Sequence, residues 1–270
     1  KSLTPQFAAE SALKLDATRL TGIRRDGFTS VHVVPSGRIA SGTAALISTA
    51  GVPARESLVA APTISVFALA PPNGDGYPRT LMGAHAHLRQ ALLDARRFAI
   101  HRKLYAKSTG GVPRPPADDV LNALVTVLDG RRRAAFRVNT RDDIHRALAF
   151  CREQKIKPLL LGVTQANDCL EELAGQRVDL LMSMHFGSTP KIQPPETGQG
   201  LKASTPHPLR VQKDLLRRWR DRVAAIGRLQ ERKLTLAVGS RGLKDRAALL
   251  AAVRQAIDRG WSATAALAAL

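Results

Sequence analysis

Few residues in this chain have the types and spacing to do chemistry, and they are scattered. The tripeptide His85-Ala86-His87 has a metal-chelating spacing. Such a pair works on a strand, where residues i and i+2 share a face, and fails on a helix, where they lie about 200° apart. The stretch Met82–Tyr105 has helical spacing, no proline and no glycine after Gly83, so the two imidazoles are expected to point to different sides of a helix. His185 follows the apolar run Val178–Met182 and opens a proline-rich segment, the position at which a barrel collects site residues. Asn139, Ser240 and Arg241 also stand just past apolar runs, and Arg38 lies in the glycine-punctuated stretch 35–43. Guanidinium, amide and hydroxyl groups so placed can hold a carboxylate or phosphate without hydrolysing it. Arg38, Asn139, His185, Ser240 and Arg241 are therefore the candidate ligand-binding residues, and no metal-ligand set is assigned. His32 reads as a strand histidine and His207, between Pro206 and Pro208, as a loop residue. There is no Gly-x-Ser-x-Gly elbow, and neither Cys151 nor Cys169 has a histidine nearby in sequence, so serine or cysteine nucleophile chemistry has no support.

Positioning these residues requires a regular scaffold, and the pattern supplies one. Short apolar runs at Phe28–Val34, Ile64–Leu69, Ala134–Val138, Pro158–Leu161, Val178–Met182 and Leu234–Val238 predict strands covered on both faces. Between them, helical spacing predicts helices over Asp16–Asp26, Thr80–Tyr105, Asp118–Leu128, Asp142–Gln154, Gln165–Leu173, Val211–Glu231, Leu243–Asp258 and Thr264–Leu270. Strands alternating with helices form βαβ units around a parallel sheet. Six strands suit either an open doubly wound sheet or an eight-stranded barrel lacking part of its circuit. The first strand is not followed by a Gly-x-Gly-x-x-Gly loop, which argues against dinucleotide binding. Thr189–Pro208, with five prolines, predicts a long loop.

Composition narrows the function classes. The chain has 270 residues, 44% of them hydrophobic, enough for one large core or two small ones. Its two cysteines supply neither a disulfide framework nor a zinc ribbon. No apolar run approaches the roughly 20 residues of a membrane span, so a soluble chain with no membrane partner is expected, and since no apolar h-region follows Lys1 a signal peptide is expected to be absent or already removed. The net charge of +19 admits nucleic acid as a partner. Aromatic residues are only 4% and no basic stretch interleaves with them, so the base-stacking platform of a nucleic-acid reader is missing. The runs Arg131-Arg132-Arg133 and Arg217-Arg218-Trp219-Arg220 read as solvated faces that a polyanion could meet.

Several ordered segments resemble the amidohydrolase superfamily in its imidazolonepropionase-like branch. They are Gly27-Phe28-Thr29-Ser30-Val31 leading into Val34-Pro35-Ser36-Gly37, then Ser41-Gly42-Thr43-Ala44-Ala45-Leu46, Tyr77-Pro78, and Leu81-Met82-Gly83-Ala84 with Leu88–Ala95. Further on, Arg141-Asp142-Asp143-Ile144, Leu236-Ala237-Val238-Gly239-Ser240 and the terminal Ala-Leu-Ala-Ala-Leu are similar in the same order. The resemblance implies a (β/α)8 TIM-type barrel, incomplete at the N-terminus, forming one domain over 1–270 with the first strand and any accessory β-domain outside this chain. It also implies a hydrolase of non-peptide C–N bonds that uses zinc or another divalent metal, and an exported location. Such enzymes hold one or two divalent ions with a His-x-His pair on the first strand, a Lys or Glu further on, single histidines on the fifth and sixth strands and an aspartate on the eighth.

At the matching positions this chain departs from that pattern. The first-strand pair would lie upstream of Lys1, and Phe136-Arg137-Val138-Asn139 stands where the fifth-strand histidine belongs. The next strand ends Leu160-Leu161-Gly162-Val163 without histidine, and Arg241 takes the place of the aspartate. A guanidinium repels a cation. The expected protein is thus a degenerate amidohydrolase relative, a pseudoenzyme with a metal-free pocket for an anionic small molecule and no cofactor. The alternative is a non-catalytic basic scaffold for a polyanion. A barrel missing a strand exposes two sheet edges, so a homo-oligomer is also expected.

Overall fold

The computed structural model describes residues 2–74, 76–107, 110–193, 207–243 and 247–270. In chain order its elements are α1 (Ala17–Arg25), β1 (Ser30–Val33), β2 (Ala40–Thr43), β3 (Ala45–Ser48), α2 (Ala54–Ser57), β4 (Leu58–Ala60), β5 (Ile64–Ala68), α3 (Leu81–Lys107), α4 (Asp119–Leu128), β6 (Arg133–Arg137), α5 (Arg141–Gln154), β7 (Pro158–Val163), α6 (Leu170–Gly175), β8 (Asp179–Ser183), α7 (Leu209–Glu231), β9 (Leu236–Gly239), α8 (Ala247–Ile257) and α9 (Ala263–Ala269). Two compact units account for the chain: Lys1–Val138 with Asp142–Leu161, and Asn139–Arg141 with Gly162–Leu270.

In the first unit β5, β6 and β7 pair in parallel, with Phe67 level with Phe136 and Phe136 with Leu160. Parallel strands are covered on both faces, hence the unbroken apolar runs that betray them in the sequence. The rings of Phe67 and Phe136 stack at 5.4 Å, and Phe150 of α5 joins them with its centroid 6.0 Å from Phe136. Leu88 and Leu92 of α3 and Ile144 and Leu148 of α5 complete this core. Helix starts have local causes. Asp16 and Asp118 cap α1 and α4 by accepting the N–H of Arg19 and Leu121, each at 2.9 Å, which satisfies donors that the helix itself leaves open.

The first unit also corrects the sequence reading. The predicted strand Phe28–Val34 forms as β1 but does not enter the parallel sheet; it pairs antiparallel with β3, which pairs antiparallel with β4. The strand beside β5 is instead β2, antiparallel to it, in the glycine-punctuated stretch where the sequence predicts no strand. β2 is Ala-Ser-Gly-Thr and fully buried. A Cβ on Gly42 would lie 2.2 Å from the carbonyl oxygen of Phe7, so close backbone approach requires small residues there, and small residues carry no strand signal.

In the second unit β8 and β9 are parallel, with Ser183 level with Gly239. Around them α7 contacts α6 and α8, and α9 contacts β9 and α8. Met182, Met184, Trp219, Val223, Ile226 and Trp261 are buried here. The predicted helix Gln165–Leu173 resolves into a 3-10 turn, Ala166–Cys169, followed by α6. The predicted helix Leu243–Asp258 is represented by α8, since Leu243 is not helical and residues 244–246 lie outside the described set. Most of the predicted loop Thr189–Pro208 also lies outside it, as 194–206. Among the described residues no helix is long and apolar enough to cross a membrane.

Candidate functional site

Parallel strands in register end together, so β8 and β9 deliver their following residues to one edge of the second unit, the carboxyl edge at which α/β folds bind ligands. Past β8 comes Met184-His185-Phe186, and past β9 comes Ser240-Arg241-Gly242. One buried hydroxyl joins the two turns: Ser183 Oγ donates to the Arg241 carbonyl at 2.9 Å and accepts the His185 N–H at 3.3 Å. The Met184 N–H donates to the Gly239 carbonyl at 3.4 Å. Gly242 has φ +83°, and a Cβ built there would lie 3.3 Å from Cβ and Cγ of His185. The imidazole therefore packs over a position that glycine alone fills without strain.

From the other side, α7 holds the turn after β8. Trp219 Nε1 donates to the Gly187 carbonyl and Arg222 Nη1 to the Phe186 carbonyl, both at 3.4 Å. Arg259 lies 4.9 Å over the Trp219 ring, a cation–π contact that helps fix this anchor. With the backbone so held, the side chains of His185, Ser240 and Arg241 are exposed and have no hydrogen-bond partner among the described residues. An imidazole, a hydroxyl and a guanidinium left available at one edge form a donor set for a carboxylate or phosphate.

The other two sequence candidates lie elsewhere. Asn139, past β6, engages Thr164, whose Oγ1 donates to both the Asn139 carbonyl and its Oδ1 at 2.8 Å. Arg38 belongs to the first unit and is exposed, with its N–H on Ser41 Oγ at 3.3 Å. Arg137 donates to the Pro35 carbonyl. Sequence reasoning missed Ser183, Trp219 and Arg222. Ser183 left a faint signal as a hydroxyl closing an apolar strand, whereas the α7 anchors left none.

The side chains present do not fit the divalent metal that the resemblance implies. Zinc sites take imidazole, thiolate and carboxylate ligands. The ends of β8 and β9 offer the imidazole of His185, the hydroxyls of Ser183 and Ser240 and the guanidinium of Arg241. Among the described residues no three His, Cys, Asp or Glu side chains cluster. The His85-Ala86-His87 pair lies on α3 as expected, where His85 meets Phe150 edge-on at 6.0 Å and His87 meets Tyr77 at 6.2 Å. Burial, then Arg146 and Arg89, hold the His85 imidazole below its ordinary value, and its Nε2 is buried without a partner among the described residues. His32 is bonded to Thr63 Oγ1 at 2.6 Å, and His207 is exposed. Cys151 and Cys169 are buried and not joined in a disulfide, and burial pushes the Cys151 thiol up to about 12, the opposite of an activated nucleophile.

No protein-family model matches this chain, and no curated protein matches it. Among solved structures, an amidohydrolase from Thermotoga maritima MSB8 is similar, with a TM-score of 0.77 at 17% sequence identity over 99% of this chain and 65% of that one. The chain thus has an amidohydrolase-like α/β fold and spans 65% of the length of the structure it matches.

Proposed function

We propose that this protein descends from metal-dependent hydrolases of non-peptide C–N bonds, in the imidazolonepropionase-like branch, and binds an anionic small molecule in a degenerate, metal-free site. Its fold is read as a (β/α)8 barrel lacking its first strand. The observation that carries the proposal is the available trio His185, Ser240 and Arg241, held by Ser183 and α7 at the carboxyl edge of two parallel strands. Arg241 supplies fixed charge and a planar fork of donors to a carboxylate or phosphate, and His185 and Ser240 complete the cradle.

Elemental analysis of the longest available form of the protein, purified without chelator, tests the degenerate centre. Metal well below one equivalent is the expected result. Near-stoichiometric zinc, manganese or iron that is lost in His185→Ala would overturn it.

The polyanion reading rests on the net charge of +19 and predicts binding of unrelated DNA and RNA sequences that falls steeply with salt. The basic runs give it limited support, because Arg131 is paired with Asp129 at 2.7 Å and both Arg217 and Arg218 with Asp214 at 2.7 Å.

A further inference from the structure

α3 is apolar on two opposite sides. Its inner side, with Ala84, Leu88, Ala95 and Phe98, is buried in the first unit. On the outer side Met82 is 82% exposed, Leu93 49%, Ile100 58% and Leu104 53%, with exposed Ala86 among them. At about 100° per residue, these five and Arg97 fall within about 60° of arc, nearly opposite the inner side. A helix covered on one side ordinarily presents charge on the other. Here the middle of the outer side is an apolar line about 33 Å long, from Met82 to Leu104.

The spacing of this line is symmetric. Met82 and Leu104 are each eleven residues from Leu93, and Ala86 and Ile100 are each seven. A twofold axis through Leu93, perpendicular to the helix, therefore sets Met82 against Leu104, Ala86 against Ile100 and Leu93 against its own copy. A twofold interface requires one patch to be complementary to itself. The charges agree with the same arrangement. Gln90 Nε2 donates to Asp94 Oδ1 at 2.9 Å on the flank of the line that also carries Arg97, and the twofold brings Arg97 of each copy beside Gln90 and Asp94 of the other. Arg89, on the opposite flank, is already neutralised by Glu153 at 2.6 and 2.7 Å.

We propose that the outer side of α3 is a docking surface for a second copy of this chain, with the two helices packed antiparallel about Leu93. The covered area is on the order of 1,000 Å² in total, the low end for specific interfaces.

Sedimentation equilibrium of the 270-residue chain from about 1 to 200 µM tests this, with expected dimerisation across that range. Leu93→Arg, which sets two guanidiniums face to face, should weaken the dimer at least tenfold. Lys103→Glu, on the same helix but off the line, should leave it unchanged. Leu93→Cys gives a second readout that does not depend on the arginine variant folding. Because the native cysteines are 1% and 3% exposed, the new thiol is the accessible one, and mild oxidation should cross-link it to its own copy. A wild-type chain that stays monomeric throughout overturns the proposal. So does a dimer indifferent to Leu93→Arg, or one whose Leu93→Cys form does not cross-link.

Discussion

The strand end after β6 and the strand ends after β8 and β9 carry similar polar groups and use them differently. At the end of β6, Arg137 donates to the Pro35 carbonyl, and Asn139 Oδ1 accepts the Thr164 hydroxyl, so both side chains tie neighbouring segments together. After β8 and β9 that task falls to Ser183, Trp219 and Arg222, and among the described residues the side chains of His185, Ser240 and Arg241 have no hydrogen-bond partner. Residue type at a strand end therefore does not distinguish a scaffold group from a binding group. What distinguishes them is whether another residue already does the holding.

Exchanging the two arginines tests that contrast with the largest expected effects. Arg241→Ala should weaken binding of a small carboxylate or phosphate by about 1.5–3 kcal/mol, the range for a charge-assisted hydrogen bond, with an unchanged melting curve. Arg137→Ala should lower stability by about 1–3 kcal/mol, because the Pro35 carbonyl loses its donor, and should leave the titration unchanged. Calorimetric titration and denaturant unfolding of both variants separate the outcomes, and a binding defect in Arg137→Ala would erase the distinction.

Gly242→Ala should come next. A side chain at φ +83° costs about 1–2 kcal/mol, and its Cβ presses on His185; unfolding should therefore shift and anion affinity should fall together. Ser183→Ala removes the hydroxyl that joins the two turns and should cost about 1 kcal/mol, with a broadened His185 imidazole signal in NMR as the local readout.

The smallest effect concerns acid. His85 is held below its ordinary value of 6.5 by burial, with Arg146 and Arg89 adding to it. The unfolded chain therefore takes up this proton first as pH falls, and the contribution of neutral His85 to stability, complete above about 6.5, declines below it. Melting temperature should drop between pH 7 and 5 with a shallower slope in His85→Leu. Equal slopes would remove His85 from the account.

The sequence made the second half of the fold legible for a physical reason. β6, β7 and β8 are largely buried strands, so each appears as an apolar run, β9 is apolar in type although partly exposed, and α3, α5 and α7 are long enough for their period to show. β2 escaped because its buried positions require small residues. β1 was visible as a strand, but a local run says nothing of its partner, and it pairs with β3. Of the proposed site, His185, Ser240 and Arg241 were readable because each follows a strand. The anchors Trp219 and Arg222 were not, since their bonds reach 32 and 36 residues along the chain.

The most direct test of the central claim is a titration of wild-type protein and Arg241→Ala with inorganic phosphate and a small dicarboxylate in the presence of EDTA. The account predicts saturable binding to wild type that EDTA leaves intact and that Arg241→Ala weakens at least tenfold. Binding abolished by EDTA and restored by zinc, or equal affinity in the two proteins, would contradict it.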